Sequence, residues 1–556
     1  MKISKKSWTT VSAFATSCVF IFNGSIAVAS TNPKDSIVIA TSSSTNPKDF
    51  KVYDALSNFT IPAEIPSSKI GLPTSGATIS SATIVKSDEK GNLNGEYCKV
   101  LGAIHPVDKT APDINFQVNL PVKWNSKILQ YGGGGFDGAL VTADNGYYGQ
   151  MVSDPTPLAQ GYVTFGSDSG HVNSSYWDSK WALNDEALNN FASDQLKKTK
   201  DTVLEIVQAF YKSKPSQVYF VGGSNGGREA LKVVQRFPTE YNGVICYFPV
   251  LNWVPKAITD SRNADFVQAN NGAGWISPEQ YKLVNQTILG IDDGLDGVKD
   301  GIISNIYGAE KKKDEVLKAL KNILSDAQIK TLETFASPMN FNYPLANGLT
   351  TMPGYPVFKG APLADMYLNQ FGTAPTARDG LMAESGDAVI KNMIVRDDNF
   401  NPENFDADKW RDKVVQASEL LDATNPDISD FKNNGGKLIL IHGAGDQIVT
   451  FQGTIDYYNQ LINKFGKDSL GEFVKFYMVP GNGHYNSETW NMGSDTLGAL
   501  DQWVVNNKSP ENLIVTDQSE KTKGRTRPLL EYPAYPEYKG SGDVNSAGSF
   551  ISATPQ

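Results

Sequence analysis

Short apolar runs alternate with helical segments in two separate parts of the chain. In the first part, after about residue 96, DINFQVNLP alternates as a half-buried strand does, and further apolar runs are typical of buried strands: KILQY, YVTFGSD, QVYFV and GVICYFPV. Helical spacing covers NDEALNNFASDQLKKTKDTVLEIVQAFY and GGREALKVVQRFP. This alternation predicts a doubly wound, largely parallel sheet of the α/β class.

The same rhythm returns after about residue 431, with strands at GGKLILIHGAGD and EFVKFYMVPG and helices at TIDYYNQLINKFG and TLGALDQWVVNN. Between the two parts the rhythm is lost, and Asn, Asp, Gly and Pro become frequent around scattered helical segments. We therefore predict one core formed by residues 52–250 and 431–556, with residues 251–430 inserted as a lid domain over the active face.

The N-terminus has the pattern of an export signal. A short lysine-bearing segment precedes an apolar run and the small-x-small motif Ala27-Val28-Ala29, which predicts a signal peptide over residues 1–29. An uncleaved anchor is the alternative, although the run is short and rich in Ser and Thr. Residues 30–51, in which STNPKD occurs twice, are predicted to be a flexible leader. We expect a secreted or periplasmic protein.

Charge and cysteine content restrict the possible partners and the redox chemistry. The 556 residues carry a formal net charge of −10, which becomes −13 when Lys2, Lys5 and Lys6 leave with the signal. This balance argues against nucleic acid or, after signal cleavage, a membrane as a partner. Only Cys98 and Cys246 then remain, so the fold cannot depend on a disulfide framework.

The motif Gly222-Gly223-Ser224-Asn225-Gly226 lies between a predicted buried strand and a predicted helix. G-x-S-x-G in that context predicts a nucleophile elbow, in which the serine oxygen projects above the sheet of an α/β hydrolase. The alternative is a glycine-rich turn without a catalytic role.

A serine nucleophile needs a base, and this chain has four histidines. The hydrolase order of Ser, acid and His predicts Asp446, after LILIHGAG, as the acid and His484, in the loop GNGHYN, as the base. His442 is the alternative base, and Asp446 could be a turn residue. His105 and His171 precede the serine and are predicted to be structural or pocket residues.

A tetrahedral intermediate also needs hydrogen-bond donors for its oxyanion. We predict the backbone N–H groups of Asn225, directly after the nucleophile, and of Gly135, in the glycine run after KILQY. A phosphate-binding loop is excluded, because no Lys-Ser or Lys-Thr follows the glycines.

Residues 292–302, DDGLDGVKDGI, place several carboxylates close together between glycines. Such carboxylates repel one another unless a hard cation neutralises them, and Ca²⁺ binds carboxylate and carbonyl oxygens. The spacing is not that of an EF-hand. From the residues alone, a calcium site and an acidic surface turn are equally consistent.

Together these segments resemble the tannase and feruloyl esterase family, which also includes mono(2-hydroxyethyl) terephthalate hydrolase. The resemblance runs from about Glu96 to the C-terminus, and its anchors are PVKWNSKILQYGGGGFDG, SDSGH, YFVGGSNGGREAL, DGLDGVKDGI, GGKLILIHGAGD, VPGNGH and RTRPLLEYPAYPEYKGSGDVNSAGSF. It implies an α/β-hydrolase core, a large lid that binds aromatic acyl groups, and hydrolysis of esters of phenolic or other aromatic acids. It also implies a structural Ca²⁺ held by three carboxylates and two backbone carbonyls: Asp293, Asp296, Asp300, Val298 and Ile302.

The chain departs from the family pattern in its cysteines. The family usually joins a cysteine before the nucleophile to one after the catalytic histidine, and these positions are Gly223 and Tyr485 here. Other expected cysteine positions are Asp292, Leu530 and Ser552. The resemblance then implies that packing, not a disulfide, holds Ser224 near His484.

These observations predict a serine esterase that hydrolyses small aromatic esters through an acyl-enzyme, without an organic cofactor. A serine peptidase on the same fold and an inactive hydrolase-like binding protein are the alternatives. The pocket residues are less defined by the sequence. Trp275, Phe358, Phe371 and Arg378 are candidates, with a surface or lid-core position as the alternative for each.

Overall fold

The computed structural model of the chain describes residues 49–51, 60–365, 368–484 and 490–555. The predicted signal peptide and most of the predicted leader lie outside these ranges. In the described part of the chain, no helix combines the length and the apolar character that a membrane crossing requires.

The described residues form nineteen strands and thirteen α-helices. The strands are β1 (Asp49–Lys51), β2 (Thr60–Pro62), β3 (Glu64–Ile65), β4 (Ala77–Val85), β5 (Tyr97–Ile104), β6 (Ile114–Pro121), β7 (Lys127–Tyr131), β8 (Val163–Ser167), β9 (Gln217–Gly223), β10 (Gly243–Tyr247), β11 (Met339–Asn340), β12 (Thr351–Met352), β13 (Lys437–Gly443), β14 (Val474–Val479), β15 (Met492–Gly493), β16 (Ile514–Asp517), β17 (Thr526–Pro528), β18 (Tyr535–Tyr538) and β19 (Phe550–Ala553). The helices are α1 (Asp185–Asn189), α2 (Gln195–Tyr211), α3 (Asn225–Arg236), α4 (Trp253–Gly272), α5 (Pro278–Asp292), α6 (Ile306–Leu320), α7 (Asp326–Ala336), α8 (Leu381–Val389), α9 (Arg411–Leu421), α10 (Ser429–Asn433), α11 (Phe451–Phe465), α12 (Lys467–Gly471) and α13 (Thr496–Asn506).

A ten-stranded sheet organises the core, in the order β14-β13-β10-β9-β7-β8-β6-β5-β4-β3. The strands from β14 to β8 pair in parallel, and those from β6 to β3 add to β8 by antiparallel pairing. The sequence predicted a largely parallel sheet, and the sheet is instead mixed, because its N-terminal strands join as a meander. The parallel half carries the candidate site at the carboxyl ends of its strands.

Strand β13 shows why the apolar runs became central strands. Its residues alternate between the two faces of the sheet, as the pleat requires. Leu438 and Leu440 belong to one buried cluster, which includes side chains of α3 and α11. Ile439 and Ile441 belong to another, which includes side chains of α13. Both faces are therefore covered by helices, and a continuous apolar run is what such a strand needs.

The long helix predicted before β9 is interrupted. A π-helical turn at Asn190–Asp194 separates α1 from α2, and Ser193 has an extended φ of 179°. Arg228, which is fully buried, donates Nη hydrogen bonds to the carbonyl oxygens of Phe191 and Ala192 at 2.9 and 3.0 Å. These bonds satisfy backbone carbonyls at the turn, and they come from a tertiary contact that helical spacing does not reveal.

Residues 251–430 lie between β10 and β13, which are adjacent in the sheet. They contain helices α4 to α9 and the hairpin β11–β12, and an apolar cluster of their own that includes Val284, Leu332 and Phe371. Helix α5 begins with a capping box between Ser277 and Gln280. The segment thus has its own core, and its role as a lid stays a prediction.

Candidate active site

Ser224 lies between β9 and α3 with φ 61° and ψ −121°. This left-handed conformation is unusual for a residue with a side chain and is costly unless the surroundings enforce it. Its N–H donates to the carbonyl oxygen of Tyr247 at 3.1 Å, and its own carbonyl accepts the N–H of Arg228 at 3.0 Å. The turn is held from both sides, as a nucleophile elbow requires.

The glycines around Ser224 are required by close contacts between backbones. A methyl group at Gly222 would lie 2.2 Å from the carbonyl oxygen of Gly226. A methyl group at Gly226 would lie 2.6 Å from the carbonyl oxygen of Gly133, in the loop after β7. The first turn of α3 therefore packs directly against the glycine run, so the two predicted oxyanion segments are neighbours.

Asp446 follows β13 and is fully buried. Its Oδ1 accepts the backbone N–H groups of Ile448 and Val449 at 2.9 and 2.7 Å. Its Oδ2 accepts Nδ1 of His484 at 2.9 Å and lies 3.4 Å from Nε2 of His442. Burial opposes ionisation, but the charge of His484 and the hydrogen bonds from both histidines outweigh it and hold the pKa of Asp446 well below its usual range.

His484 follows β14 and connects the acid to the serine. Its Nδ1 lies 2.9 Å from Oδ2 of Asp446, and its Nε2 lies 2.8 Å from Oγ of Ser224. Because the carboxylate accepts the Nδ1 proton, Nε2 is the nitrogen left to accept the serine proton. The structure thus brings the three predicted residues together in one hydrogen-bonded chain, and the serine is the member most accessible to solvent.

The predicted oxyanion donors have no hydrogen-bond acceptor in the part of the chain that the structure describes. In the glycine run, the N–H of Gly132 donates to the carbonyl oxygen of Val221 at 2.9 Å, and that of Gly133 donates to Oε2 of Glu229 at 2.8 Å. Within the described ranges, the N–H groups of Gly135 and Asn225 have no such acceptor. Both remain available to a ligand, and their assignment as the oxyanion hole stays a prediction.

The other three histidines lie elsewhere. His442, the alternative base, is buried within β13, with Nδ1 2.9 Å from Oγ1 of Thr454 and Nε2 3.0 Å from the carbonyl oxygen of Val449. It contacts the acid and not the serine, so the geometry favours His484. His171 stacks on Trp181 with ring centroids 3.7 Å apart. His105 bonds to Asp113 in a half-exposed position.

Two residues at the site were missed by the sequence reasoning. Phe248 has φ 32°, and its ring lies 4.5 Å from the imidazole of His484, centroid to centroid. Gln447 is fully buried, and its Oε1 accepts the backbone N–H of His484 at 3.1 Å. Gln447 could have been predicted as a site residue because it directly follows the predicted acid. Nothing in the sequence indicates a role for Phe248.

The acidic loop is folded around its own backbone. Oδ1 of Asp293 accepts the N–H groups of Gly301 and Ile302 at 3.0 and 3.1 Å, and Asp300 forms an ion pair with Arg527. Burial first, and then the nearby Asp300, raise the pKa of Asp296 to about 6. Across the described residues, no three His, Cys, Asp or Glu side chains form a group that could hold a metal ion.

Of the four candidate pocket residues of the insertion, two are buried and two are partly exposed. Phe358 and Phe371 belong to the apolar cluster of the insertion, and Trp275 packs at its edge. Arg378 donates to Asp387 at 2.6 Å. These positions match the lid-core alternative and leave the substrate pocket undefined by these four residues.

The two cysteines in the described part of the chain, Cys98 and Cys246, are both buried and free. Sγ of Cys246 lies 3.3 Å from the carbonyl oxygen of Gly227, in the first turn of α3. No disulfide therefore supports the site in this part of the structure.

Comparison with known proteins agrees with this geometry. A family model described as tannase and feruloyl esterase matches residues 98–553. An uncharacterized esterase of Agrobacterium fabrum is 39% identical over 511 residues, which cover 88% of this chain and 92% of the relative. The mono(2-hydroxyethyl) terephthalate hydrolase of Piscinibacter sakaiensis is 26% identical over 522 residues, with coverages of 83% and 85%. Feruloyl esterase B from Aspergillus oryzae superposes with a TM-score of 0.72 at 21% identity, over 88% of this chain and 99% of that one. The predicted resemblance and the α/β-hydrolase fold are thereby confirmed.

Proposed function

The chain belongs to the tannase and feruloyl esterase family and is a carboxylic ester hydrolase, and from this premise we propose that it cleaves esters of aromatic acids through an acyl-enzyme on Ser224. The observation that carries the proposal is the hydrogen-bonded chain from Asp446 through His484 to Ser224, with distances of 2.9 and 2.8 Å. A serine hydroxyl becomes a useful nucleophile only beside such an oriented base.

In the first step, Oγ of Ser224 attacks the ester carbonyl while Nε2 of His484 takes its proton. Asp446 holds the imidazole in the required tautomer and stabilises the positive charge that forms. The N–H groups of Asn225 and Gly135 stabilise the oxyanion, and each such donor is worth roughly two to three orders of magnitude in kcat. The alcohol then leaves with the proton from His484.

In the second step, water takes the place of the alcohol. His484 removes a proton from the water as it attacks the acyl-enzyme, and the same N–H groups stabilise the second oxyanion. The acid is released as Ser224 recovers its proton. Both steps use one set of residues, so one substitution at Ser224 stops both.

The aromatic acyl group is supported by the names of the relatives. One relative is a mono(2-hydroxyethyl) terephthalate hydrolase, and a protein of similar fold is a feruloyl esterase. Around the site, Phe136 and Trp177 lie with ring centroids 5.1 Å apart beside the glycine run, and Tyr176 is half-exposed next to them. Phe136 is itself buried, and the half-exposed ring of Tyr176 offers a stacking surface to an aromatic acid.

The test uses Ser224→Ala and a substrate panel: methyl ferulate, methyl gallate, mono(2-hydroxyethyl) terephthalate, p-nitrophenyl acetate and a peptide p-nitroanilide. We expect the unaltered enzyme to prefer one or more aromatic esters over the acetate and to leave the peptide intact. Ser224→Ala should lose hydrolysis of every ester and remain folded by circular dichroism, whereas the exposed Ser153→Ala serves as a matched control with full activity. Retained activity in Ser224→Ala rejects the proposal, and preferred cleavage of the peptide supports the peptidase alternative.

We also propose that the acidic loop binds a structural Ca²⁺ through Asp293, Asp296 and Asp300 and the carbonyl oxygens of Val298 and Ile302. The three carboxylates do not converge as metal ligands in the described structure, and Asp300 pairs with Arg527, so binding requires these side chains to turn toward the ion. The donors are hard oxygen ligands, which Ca²⁺ prefers. Oδ2 of Asp296 supports a cation in this loop, because it is buried without a hydrogen-bond partner in the described structure. A buried carboxylate oxygen without a partner is costly, and a cation would remove that cost.

Calcium binding is tested on the full chain by metal analysis after dialysis and by thermal unfolding with Ca²⁺ or EGTA. One bound Ca²⁺ per chain is expected, with unfolding stabilised by about 2.7 kcal/mol when free calcium is 100 times Kd. Asp296→Asn should abolish both effects, and the exposed Asp326→Asn, at the start of α7, should retain them. Absence of bound calcium in the unaltered protein would exclude the site.

Export is proposed from the N-terminal pattern. Cleavage after Ala29 would give a mature chain that begins at Ser30. Mass spectrometry of the protein recovered outside the cytoplasm tests this, and an intact Met1 in that fraction would contradict it.

A further inference from the structure

Two carboxyl side chains, Asp137 and Glu229, meet beneath the glycine run. Asp137 lies in the loop after β7, and Glu229 lies in α3, five residues after Ser224. Glu229 is fully buried, and Asp137 is 8% exposed. Both carboxyl groups lie against the backbone of Gly133. Two buried carboxylates side by side repel each other strongly when both are ionised, so we expect the pair to hold one proton.

Every oxygen of the pair also accepts a hydrogen bond from another residue. Oε2 of Glu229 accepts the N–H of Gly133 at 2.8 Å, and Oε1 accepts Nε2 of Gln195 at 2.8 Å. Oδ1 of Asp137 accepts Nδ2 of Asn225 at 2.9 Å, and Oδ2 accepts Oγ of Ser169 at 2.8 Å. The pair therefore ties four different segments of the core together.

The charges around the pair favour one distribution of the proton. Burial first, and then the neighbouring Asp137, raise the pKa of Glu229 well above its usual range. Burial also raises the pKa of Asp137, but the hydrogen bonds from Ser169 and Asn225 and the charge of Arg228 oppose this rise. Arg228 is fully buried beside them, and its Nε donates to Oδ1 of Asn225 at 2.7 Å. A neutral Glu229 with an ionised Asp137 leaves one negative charge to balance that guanidinium.

The two predicted oxyanion donors are attached to this pair. Asn225 is held through its side chain by Asp137. Gly135 lies between two anchored residues of the loop, Gly133 and Asp137. The N–H of Gly133 donates to Glu229, and the N–H of Asp137 donates to the carbonyl oxygen of Gly134 at 2.9 Å. The loop lies directly on the carboxyls, since a methyl group at Gly133 would lie 2.0 Å from Oδ1 of Asp137.

We propose that Asp137 and Glu229, joined by a shared proton, are positioning residues that hold the backbone N–H groups of Asn225 and Gly135 in place for the oxyanion. The proposal rests on the proposed function, because it needs an oxyanion at Ser224. Neither carboxyl contacts the substrate in this scheme. They act through the backbone, which must be correctly placed before the reaction begins.

Isosteric replacements of the two acids test the proposal, because an amide mimics a protonated acid but not a carboxylate. Glu229→Gln can still donate toward Asp137, but its one carbonyl oxygen can accept from only one of Gly133 and Gln195, so kcat should fall by up to about tenfold. Asp137→Asn presents an N–H₂ group where only acceptors fit, so kcat should fall about 100-fold or more, the loss typical of one oxyanion donor. KM should stay within about threefold in both variants.

A second readout separates positioning from general damage. The inhibition constant of a boronic acid that forms a tetrahedral adduct should rise in parallel with the loss in kcat/KM across the variants. Asp501→Asn is the matched control. The carboxylate of Asp501 accepts Nζ of Lys127 in β7 at 2.6 Å and Oη of Tyr219 in β9 at 2.8 Å, toward the ends of these strands that lie away from the site. Its kcat should be unchanged, although its melting temperature is expected to fall.

The outcomes separate the two proposals. If Ser224→Ala retains activity, the proposed function itself fails. If Ser224→Ala is inactive but Asp137→Asn has the kcat of the unaltered enzyme, or differs from it only in KM, the positioning role is wrong. Equal losses in Asp137→Asn and Glu229→Gln contradict the shared proton. Should Asp137→Asn not fold, Asn225→Ala removes the same hydrogen bond, and a loss in kcat below threefold would overturn the proposal.

Discussion

Replacement of Asp446 by Asn gives the sharpest test of the proposed triad. Three donors are hydrogen-bonded to this carboxylate: the N–H groups of Ile448 and Val449 on Oδ1, and Nδ1 of His484 on Oδ2. Nε2 of His442 lies 3.4 Å from Oδ2. An asparagine has one acceptor oxygen. The two short backbone hydrogen bonds should retain it, so the N–H₂ group of the new side chain turns toward the histidines.

The magnitude follows from the tautomer that this orientation imposes. An amide that donates to Nδ1 of His484 leaves the imidazole proton on Nε2, 2.8 Å from Oγ of Ser224. That nitrogen can then donate to the serine but cannot take its proton. The same change in a Ser-His-Asp triad lowers kcat by about 10⁴-fold, which corresponds to roughly 5.4 kcal/mol in the activation free energy.

The assay is the steady-state hydrolysis of p-nitrophenyl acetate and methyl ferulate by Asp446→Asn, with circular dichroism and the melting temperature as controls for folding. The reference variant is Asp456→Asn, in α11, whose carboxylate accepts from Gln452 at 2.8 Å outside the site. We expect kcat to fall about 10⁴-fold in the first variant and to be unchanged in the second. A loss below about tenfold in a folded Asp446→Asn protein would refute the assigned acid.

Two further predictions concern residues that support the site. Phe248→Ala should lower the free energy of unfolding by about 3–5 kcal/mol, because the side chain is only 3% exposed, and should lower kcat, because the ring no longer supports His484. Denaturant titration and steady-state kinetics measure the two effects. Phe248→Leu should show smaller losses of both stability and kcat. Burial lowers the pKa of His171 to about 4, so the unfolded state binds more protons than the folded one, and stability should fall as the pH drops from about 6.5 to 4. At pH 5 this loss in the free energy of unfolding is about 2 kcal/mol relative to a residue that does not titrate. The free energy of unfolding of His171→Gln should therefore decline correspondingly less between pH 7 and pH 5. A decline equal to that of the unaltered protein would contradict a buried neutral imidazole.

The elbow was predictable because its constraints are local in sequence. Gly222 and Gly226 flank Ser224 within one turn, and the short distances that require them involve neighbouring backbone atoms. Asp446 and His484 were predictable for a related reason. Parallel strands end at the same edge of a sheet, so residues that follow β13 and β14 must approach Ser224, which follows β9.

The remaining parts of the site depend on contacts between segments far apart in sequence. Glu229 reaches back to Gly133, and Phe248 reaches across to His484, a residue more than 200 positions later. No periodicity records such pairs. The π-helical turn before α2 has the same origin, because the guanidinium that satisfies it belongs to Arg228 in another helix. The antiparallel strands of the sheet were missed because their apolar alternation does not reveal the direction of pairing.

Noncovalent contacts hold the histidine loop against the serine turn, and Phe248 is central among them. Its ring contacts the imidazole of His484 on one side and covers Gly223 on the other, where a methyl group would lie 2.9 Å from the ring. Gln447 fixes the backbone N–H of His484, and Tyr148 donates to the carbonyl oxygen of Gly483 at 3.2 Å. A cysteine at position 223 would place its Cβ 2.9 Å from the ring, so the ring would have to shift to admit it. This ring and the hydrogen bonds of Gln447 and Tyr148 therefore act beside the Asp446–His484 hydrogen bond in setting the geometry between nucleophile and base, and a single substitution removes each of them.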